Sequence, residues 1–562
     1  MPKFTSVPSQ HLIFLVPALS SSRGQAELAK QLVLMSGRVS SGKSTLCASL
    51  VQRFGVVHVK TKDLIARLAG QIEHERGAMQ DYGELLDRRT KGSWVCKELT
   101  RLSESLEEDA VVVVDAVRIA NQIEAVRKAY GRRVFHIHLE APVEVLTSRY
   151  EKKRRQKGFK EFTSYSEVLK NKTERQVETL AALADVVIKT DRCTKDDVVV
   201  RAASHLGLYG REYLRLVDVL VGGEYGSEGK GHIASHLAGE YDLLVRVGGP
   251  NAGHKVFQDP APYTHHQLPS GTRFSEARLL IAPGAVVNAD KLLKEIAECK
   301  VDAERLSIDP QVMIIGKNDI EAEGRLVKSI GSTGQGVGSA TARRILDRGV
   351  SGTKLARDIP ALKPFIRPAC VVLDKAFFER KSVFVEGTQG TGLSLYHGQY
   401  PHVTSRDTTV AGCLSEAGIS PSRVRKVIMV VRSYPIRVQD PSKSTSGPMS
   451  QELTWREISQ RSGVALSELQ SKEKTSTTHR KRRVGEFDWE LLRKAASLNG
   501  PTDIALTFAD YVSVKNRDAR RFEQLSEETI RFIEEIERVA GAPVSLISTR
   551  FDSRSIIDRR SW

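Results

Sequence analysis

Residues 217–231 read VDVLVGGEYGSEGKG. A short apolar run, 217–221, enters a glycine-rich turn that closes on Gly229-Lys230-Gly231, the pattern of a strand feeding a phosphate loop at a helix start. It is not a standard P-loop, because Glu224 stands where the first glycine would be. A second loop of the same kind lies upstream. Residues 37–44 (GRVSSGKS) fit G-x-x-x-x-G-K-[ST], follow the apolar run 32–35 (LVLM) and precede a helical run, with Thr45 joining Gly37, Gly42, Lys43 and Ser44 as a candidate nucleotide contact. In that context backbone N–H groups between Gly37 and Gly42 cradle phosphate oxygens, Lys43 reaches the β/γ-phosphates and Ser44 ligates Mg²⁺. Two phosphate loops, each on its own strand, predict an α/β protein of two domains.

The surrounding pattern agrees. Apolar runs at 111–114 (VVVV), 134–139 (VFHIHL) and 186–188 alternate with amphipathic stretches at 93–106 and 194–206. Strands alternating with helices imply βαβ units and a parallel sheet. A polar link at 207–212 precedes the second series, which puts the expected boundary at 212, giving domains 1–212 and 213–562. The length of 562 residues is too great for one core.

Net charge is +17, which suits polyanionic partners. No zinc-finger spacing, RRM signature or aromatic-basic stripe accompanies it, so nucleic acid is not expected as a partner. The six cysteines are scattered, with no CxxC pair, as in a reduced cytoplasmic protein. No run approaches the length of a membrane span. The stretch 12–19 (LIFLVPAL) has the look of a signal-peptide core, a reading rejected because a cytosolic phosphate-binding motif follows so closely.

Asp115 closes the 111–114 strand, where a carboxylate would hold Mg²⁺ beside Ser44; the alternative is a strand-end cap. The first half resembles P-loop nucleoside monophosphate kinases through VSSGKST, Lys62-Asp63-Leu64, the 111–118 segment and a basic run of Arg149, Lys152, Lys153, Arg154 and Arg155. The resemblance implies a phosphoryl-clamping lid for that run, against a solvated helix face as the alternative. Arg88, Arg89 and Arg118 are candidate phosphate-binding residues, and the acceptor is not readable.

In the second half, GGEYGSEGKG is followed by Asn251-Ala252-Gly253-His254, by 330–336 (IGSTGQG), 386–391 (EGTQGT), 400–405 (YPHVTS), 432–437 (RSYPIR) and 477–483 (TTHRKRR). These motifs, in register from 217 to about 554, resemble the adenylosuccinate synthetase family. The resemblance implies a two-step ligation. A carboxylate takes the N1 proton of a 6-oxopurine nucleotide while a triphosphate phosphorylates O6, and the amine of L-aspartate then displaces phosphate. It assigns His254 to O6, Gln389 to the purine edge, and Lys230, Ser332, Thr333 and Thr404 to phosphates. Asn251 joins the substrate contacts, Arg480 and Arg482 take the aspartate carboxylates, and 432–437 is a core strand. Gly229, Gly231 and Asp510 face the donor nucleotide, and Gly253 contributes to the Mg²⁺ site. Homodimerisation follows too.

The chief departure is Ser227, where the family places its catalytic aspartate. A serine hydroxyl is too weak an acid to serve as an ordinary base and supplies no charge to a metal. Three readings are open: a dead domain, proton transfer through water or the substrate, or an acceptor that differs near N1. A 2-amino group needs room and an acceptor there. The same serine marks the 2-aminoadenylosuccinate branch, which uses a deoxyguanylate, and segments 520–524 and 546–549 look like that branch. The base-reading T-K-x-D appears as Thr507-Phe508-Ala509-Asp510, so ATP and GTP are both open as donor. The partner-subunit arginine aligns with Asp347, near Arg343, Arg344 and Arg348.

The favoured expectation is a ligase making N6-succinyl-2-aminoadenylate from dGMP or GMP, with an N-terminal nucleotide kinase. Its rivals are an ordinary synthetase acting on IMP, a catalytically dead nucleotide sensor and, from charge alone, a nucleic-acid-binding protein.

Overall fold

The computed structural model describes residues 31–70, 76–103, 106, 110–157, 164–170, 172–209, 214–350, 352–439, 446–474, 480–552 and 554–560. The chain divides into two compact units, Met1–Leu208 and Tyr209–Trp562. The expected boundary at 212 and the apolar stretch 12–19 lie outside the described residues.

The first unit holds a five-stranded parallel sheet of β1 (Gln31–Ser36), β2 (Val57–Lys60), β3 (Val111–Asp115), β4 (Val134–Glu140) and β5 (Val186–Lys189), in the order β2-β3-β1-β4-β5. All its pairings are parallel. The central strand β1 is buried along nearly its whole length, as a strand with helices on both faces must be. It delivers the chain to α1 (Lys43–Phe54) through the loop at Gly37–Gly42. The helix expected from 194–206 runs Lys195–His205, and Thr194 and Asp197 form a reciprocal capping box at its start.

The second unit is built on nine strands: β6 (Val217–Gly222), β7 (Leu243–Arg246), β8 (Arg278–Ile281), β9 (Leu306–Ile308), β10 (Val383–Glu386), β11 (Val424–Arg432), β12 (Asp503–Thr507), β13 (Val544–Ser548) and β14 (Ile556–Asp558). Their order is β9-β8-β7-β10-β6-β11-β12-β13-β14, and only the last pair is antiparallel. Val219 and Val221 belong to one apolar core and Leu220 to the other. Successive residues of a strand point to opposite faces, so β6 is covered on both sides. Chain direction turns here: β6 is flanked by β10 and β11, which come much later in sequence. In open α/β sheets such a switch opens a crevice beyond the carboxyl ends of the strands.

The segment 432–437 is not the single core strand expected. Arg432 ends β11, the chain turns, and Ile436–Val438 joins a separate antiparallel sheet with Arg482–Gly485 and Glu452–Leu453. Pro435, which has no N–H to donate, sits in the turn between them. Among the described residues no helix is long and apolar enough to cross a membrane.

Candidate functional site

In the first unit the loop is shaped by two glycines in the left-handed region, Gly37 (φ 135°) and Gly42 (φ 105°). A Cβ at Gly37 would lie 2.3 Å from the carbonyl oxygen of Leu139, so the close pass beside β4 requires glycine. Lys43 Nζ donates to the carbonyls of Gly37 (2.7 Å) and Arg38 (3.0 Å). Burial pulls its pKa down to about 8 against the opposing charge of Asp115. Ser44 Oγ donates to Asp115 Oδ2 at 3.3 Å, and Thr45 is exposed beside it. Two hard oxygen donors, a hydroxyl at a helix start and a carboxylate at a strand end, fit Mg²⁺. The Arg149 guanidinium donates to Oγ1 and the carbonyl of Thr190, at 2.8 and 2.9 Å. Arg118 pairs with Glu174 and Arg88 with Glu84.

In the second unit a cavity of about 900 Å³ opens beyond the ends of β6, β7, β10 and β12. It gathers Ser227, Gly229, Lys230, Gly231, Asn251, Gly253, His254, Ser332, Thr333, Gln389, Thr404, Arg482 and Asp510. Gly229 (φ 88°) turns the chain into α2 (Lys230–Leu237). Gly231 serves packing: a Cβ there would meet His254 Cβ at 2.9 Å, so the helix could not approach the hairpin His254–Val256/Tyr263–His265. Lys230 and Glu228, both almost fully buried, form an ion pair. Glu228 also accepts from the Gly226 amide at 2.8 Å.

Behind His254 lies a buried network. Its Nδ1 touches Glu386 Oε1. Arg246 Nη1 stands 2.5 Å from that oxygen, and Ser270 donates to the carboxylate through Oγ (2.5 Å) and N (2.7 Å). Burial pushes the Glu386 carboxyl up, but Arg246, His254 and Ser270 outweigh it and hold it at about 2. Burial, then the Arg246 charge, lowers His254 to about 3. An ionised carboxylate only accepts, so Nδ1 carries the imidazole proton and Nε2 keeps a lone pair. In that form Nε2 is an acceptor, and it becomes a donor only when the ring is protonated.

Gln389, at φ 58°, donates through Nε2 to Asn251 Oδ1 (2.9 Å), and its Oε1 accepts from Thr388 (2.8 Å). The amide is thus fixed in orientation. Ser227 is exposed to the cavity, with Arg482 Nη2 3.5 Å from its Oγ. Arg482 Nη1 pairs with Glu473 at 2.8 Å. Arg480 does not line the cavity; its Nη1 is 3.5 Å from the Ser332 carbonyl. Residues 477–479 of the same motif lie outside the described residues. Arg432, fully buried, pairs with Glu473 (3.0 Å) and lies 4.0 Å from the Phe508 ring centroid. Asp510 Oδ1 is buried with no hydrogen-bond partner, and burial raises its pKa to about 6.

For Mg²⁺ in this cavity, Ser227 Oγ and the Gly253 carbonyl are neutral donors. Glu473 is held by two arginines, and Glu323 accepts the amides of Gly336 (2.8 Å) and Gly338 (2.6 Å). The balancing charge falls to the phosphates. Sequence reading missed Arg246, Ser270, Glu386, Glu473 and Arg432. A signal existed for Arg246 and Glu386: each is the lone charge closing an apolar strand, LLVR and VFVE.

The sequence profile described as adenylosuccinate synthetase matches residues 219–360 and 352–517; one described as AAA domain matches 32–183. The adenylosuccinate synthetase of Thermococcus onnurineus is 39% identical over 350 residues, 61% of this chain and 98% of that protein. That of Methanocaldococcus jannaschii is 38% identical over 351 residues, 61% of this chain and 96% of that one. Among solved structures, the cyanophage S-2L succinoaminodeoxyadenylate synthetase bound to dGMP and dATP aligns with a TM-score of 0.53 and 27% identity, over 62% of this chain and 96% of that one. The fully ligated Plasmodium falciparum adenylosuccinate synthetase, at TM-score 0.51, 22% identity, 61% and 100% coverage, shares the fold.

Proposed function

Because the chain belongs to the adenylosuccinate synthetase family, we propose that its second unit joins L-aspartate to C6 of a guanylate, dGMP or GMP, at the expense of ATP or GTP. The observation that carries the choice of acceptor is Ser227, a small hydroxyl exposed to the cavity where the family places an aspartate. Beside N1 it leaves space for a 2-amino group and offers that group an acceptor. The likeness to an enzyme solved with dGMP supports the same choice. The higher identity to adenylosuccinate synthetases favours the second reading, an IMP-using enzyme.

In the proposed reaction Lys230 and the amides at the start of α2 hold the donor phosphates. Mg²⁺, when bound, neutralises phosphate charge, with Ser227 and Gly253 as its neutral protein ligands. O6 attacks the γ-phosphorus, the nucleoside diphosphate leaves, and the N1 proton passes to Nε2 of His254. The imidazolium, held against Glu386, then hydrogen-bonds the O6 oxygens as charge develops there. Phosphorylation makes N1–H far more acidic, so a weakly basic imidazole suffices. The amine of aspartate, with a carboxylate on Arg482, attacks C6 and expels phosphate; Arg480, which does not line the cavity, drops out of the expected pair.

The first unit is read as a nucleoside monophosphate kinase, with Gly37, Gly42, Lys43, Ser44 and Thr45 around the triphosphate and Ser44 and Asp115 holding its Mg²⁺. The active species is read as a homodimer. Arg343 is committed to Asp319 (2.6 Å) and Arg344 to the carbonyl of Gln311 (2.8 Å), which leaves Arg348 for a partner subunit. Beside it Ile345, Leu346 and Val350 are 60%, 84% and 91% exposed, an apolar group that a second copy would cover. The deciding experiment incubates the protein with aspartate, Mg²⁺, ATP or GTP, and each of IMP, dIMP, GMP and dGMP, and reads products by mass. Succinylation of a guanylate in preference to IMP is expected. Succinylation of IMP alone would end the guanylate reading, and none at all would leave a nucleotide-binding protein.

A further inference from the structure

Three elements of the first unit converge on one point. Cys47 projects from α1, His58 from β2 and Asp115 from the end of β3. Their ligand atoms all lie within 4.8 Å of one another, the one such trio of metal-ligating side chains among the described residues. His58 Nε2 is buried with no hydrogen-bond partner, and Asp115 Oδ2 stands 3.8 Å from it. Ser44 Oγ, three residues before Cys47 on the same helix face, reaches the same carboxylate at 3.3 Å.

The donor set argues for a particular class of ion. Mg²⁺ takes oxygen ligands in near-ideal octahedral geometry, whereas a thiolate, an imidazole and a carboxylate suit zinc-class ions. In such a tetrahedron each ligand stands about 2.0–2.3 Å from the metal, hence roughly 3.3–3.8 Å from its neighbours. The trio therefore closes around an ion with side-chain shifts of about an ångström. The Cys47 thiol is kept protonated by burial, which pushes it up to about 12. A bound ion replaces that proton, which goes to solvent, and neutralises the thiolate in place.

We propose that Cys47, His58 and Asp115, with Ser44 or a water in fourth place, form a site for a zinc-class divalent ion that competes with Mg²⁺ for Asp115. The site rests on the kinase reading only for its consequence, which is that its occupancy withdraws the Mg²⁺ carboxylate from the phosphate loop. Binding itself stands on the trio alone.

The test uses the full chain, stripped of metal and titrated with Co²⁺ and then Zn²⁺. One equivalent of Co²⁺ with a thiolate-to-cobalt absorption band, displaced by Zn²⁺, is expected. Cys47→Ser should abolish the band. His58→Asn, which spares the buried thiol, should weaken Zn²⁺ binding by more than the ~10-fold typical of losing an outer-shell partner. Cys370→Ser, which removes the exposed thiol, should change neither. Absence of the band in the wild type, its persistence in Cys47→Ser, or unchanged affinity in His58→Asn would overturn the proposal. If binding holds but Zn²⁺ fails to displace Mg²⁺-nucleotide, the competition is overturned and the kinase reading is untouched.

Discussion

The two phosphate loops solve one backbone problem and two different electrostatic ones. Each turns into its helix through a left-handed glycine, Gly42 (φ 105°) or Gly229 (φ 88°), and each places a lysine at the first helical position. Around the lysine they diverge. Lys43 donates to loop carbonyls, neutral partners it can leave for a phosphate. Lys230 is locked to Glu228 inside the protein, so its charge is half-cancelled before any ligand arrives. Conversely, the first loop faces a carboxylate, Asp115, through Ser44, where the second offers Ser227. The first loop leaves its lysine on neutral partners and sets a carboxylate beside its serine; the second spends a carboxylate on its lysine and has a serine facing the cavity.

That difference is broken most directly by removing each lysine. Lys230→Ala should abolish ligation and destabilise the second unit by about 3–5 kcal/mol, since Glu228 is left charged and unpaired in the interior. Lys43→Ala strands no carboxylate, so ligation and the stability of the second unit should be unchanged while phosphoryl transfer to nucleoside monophosphates disappears. Assays of both reactions and urea unfolding of both variants check this. Loss of ligation in a folded Lys43→Ala protein would mean that the two units are coupled.

The next effect lies at His254. His254→Ala should slow ligation by about a hundredfold, the ~3 kcal/mol typical of one donor to a developing oxyanion, while donor binding stays measurable. A loss below about threefold would remove the side chain from the chemistry. The buried network also sets an acid limit. His254 and Glu386 both have folded pKa values below their ordinary ones, about 3 and about 2. Each contributes stability that is fully present above its unfolded pKa and lost as pH falls towards the folded one. Unfolding free energy should decline first as the pH drops below 6.5, from His254, and further below 4.5, from Glu386. Equilibrium unfolding at stepped pH reads this, and a flat profile down to pH 3 would show the network to be worth little.

Ser227→Asp is expected to act more modestly, moving acceptor preference from guanylate towards IMP by about tenfold, or roughly 1.4 kcal/mol. The carboxylate would crowd a 2-amino group and restore a base beside N1. Competition between dGMP and IMP, read by product mass, measures it. Dimerisation makes a companion test: Leu346→Glu should leave a monomer by light scattering and reduce ligation if Arg348 serves a partner subunit.

Both phosphate loops were legible because glycine spacing is a local code, and β1, β3, β4 and β6 were legible because strands buried on both faces read as apolar runs; the edge strand β5 showed only as a short apolar run. The buried network behind His254 was not. Arg246 and Glu386 are 140 positions apart in sequence and meet because β7 and β10 are neighbours in the sheet. No periodicity encodes that adjacency. The segment 432–437 failed for a related reason: local composition does not say which sheet a strand joins, and the chain changes sheets after Arg432. At Arg149 the basic run did not reveal its partner, because nothing local in the sequence says that Thr190 holds that guanidinium.

The smallest expected effect concerns the donor base. In the second unit Asp510 has a buried Oδ1 that lacks a partner. A buried acceptor left unsatisfied is costly, so the ligand should supply an N–H. Guanine presents two donors to a carboxylate and adenine one amino group. Phe508, covered by the Arg432 guanidinium, replaces the lysine of the family pattern and removes one cue for guanine. Asp510 holds its proton up to about pH 6 because burial disfavours the charge. Donor recognition through the carboxylate should therefore weaken as pH falls through 6, with KM for the donor rising roughly fourfold near pH 5.5 as the ionised fraction drops. Asp510→Asn should remove that pH dependence and narrow the ratio of ATP to GTP use by a few-fold. If the variant keeps both the wild-type pH profile and the wild-type ratio, Asp510 does not touch the base, and donor choice rests on the Phe508–Arg432 stack alone.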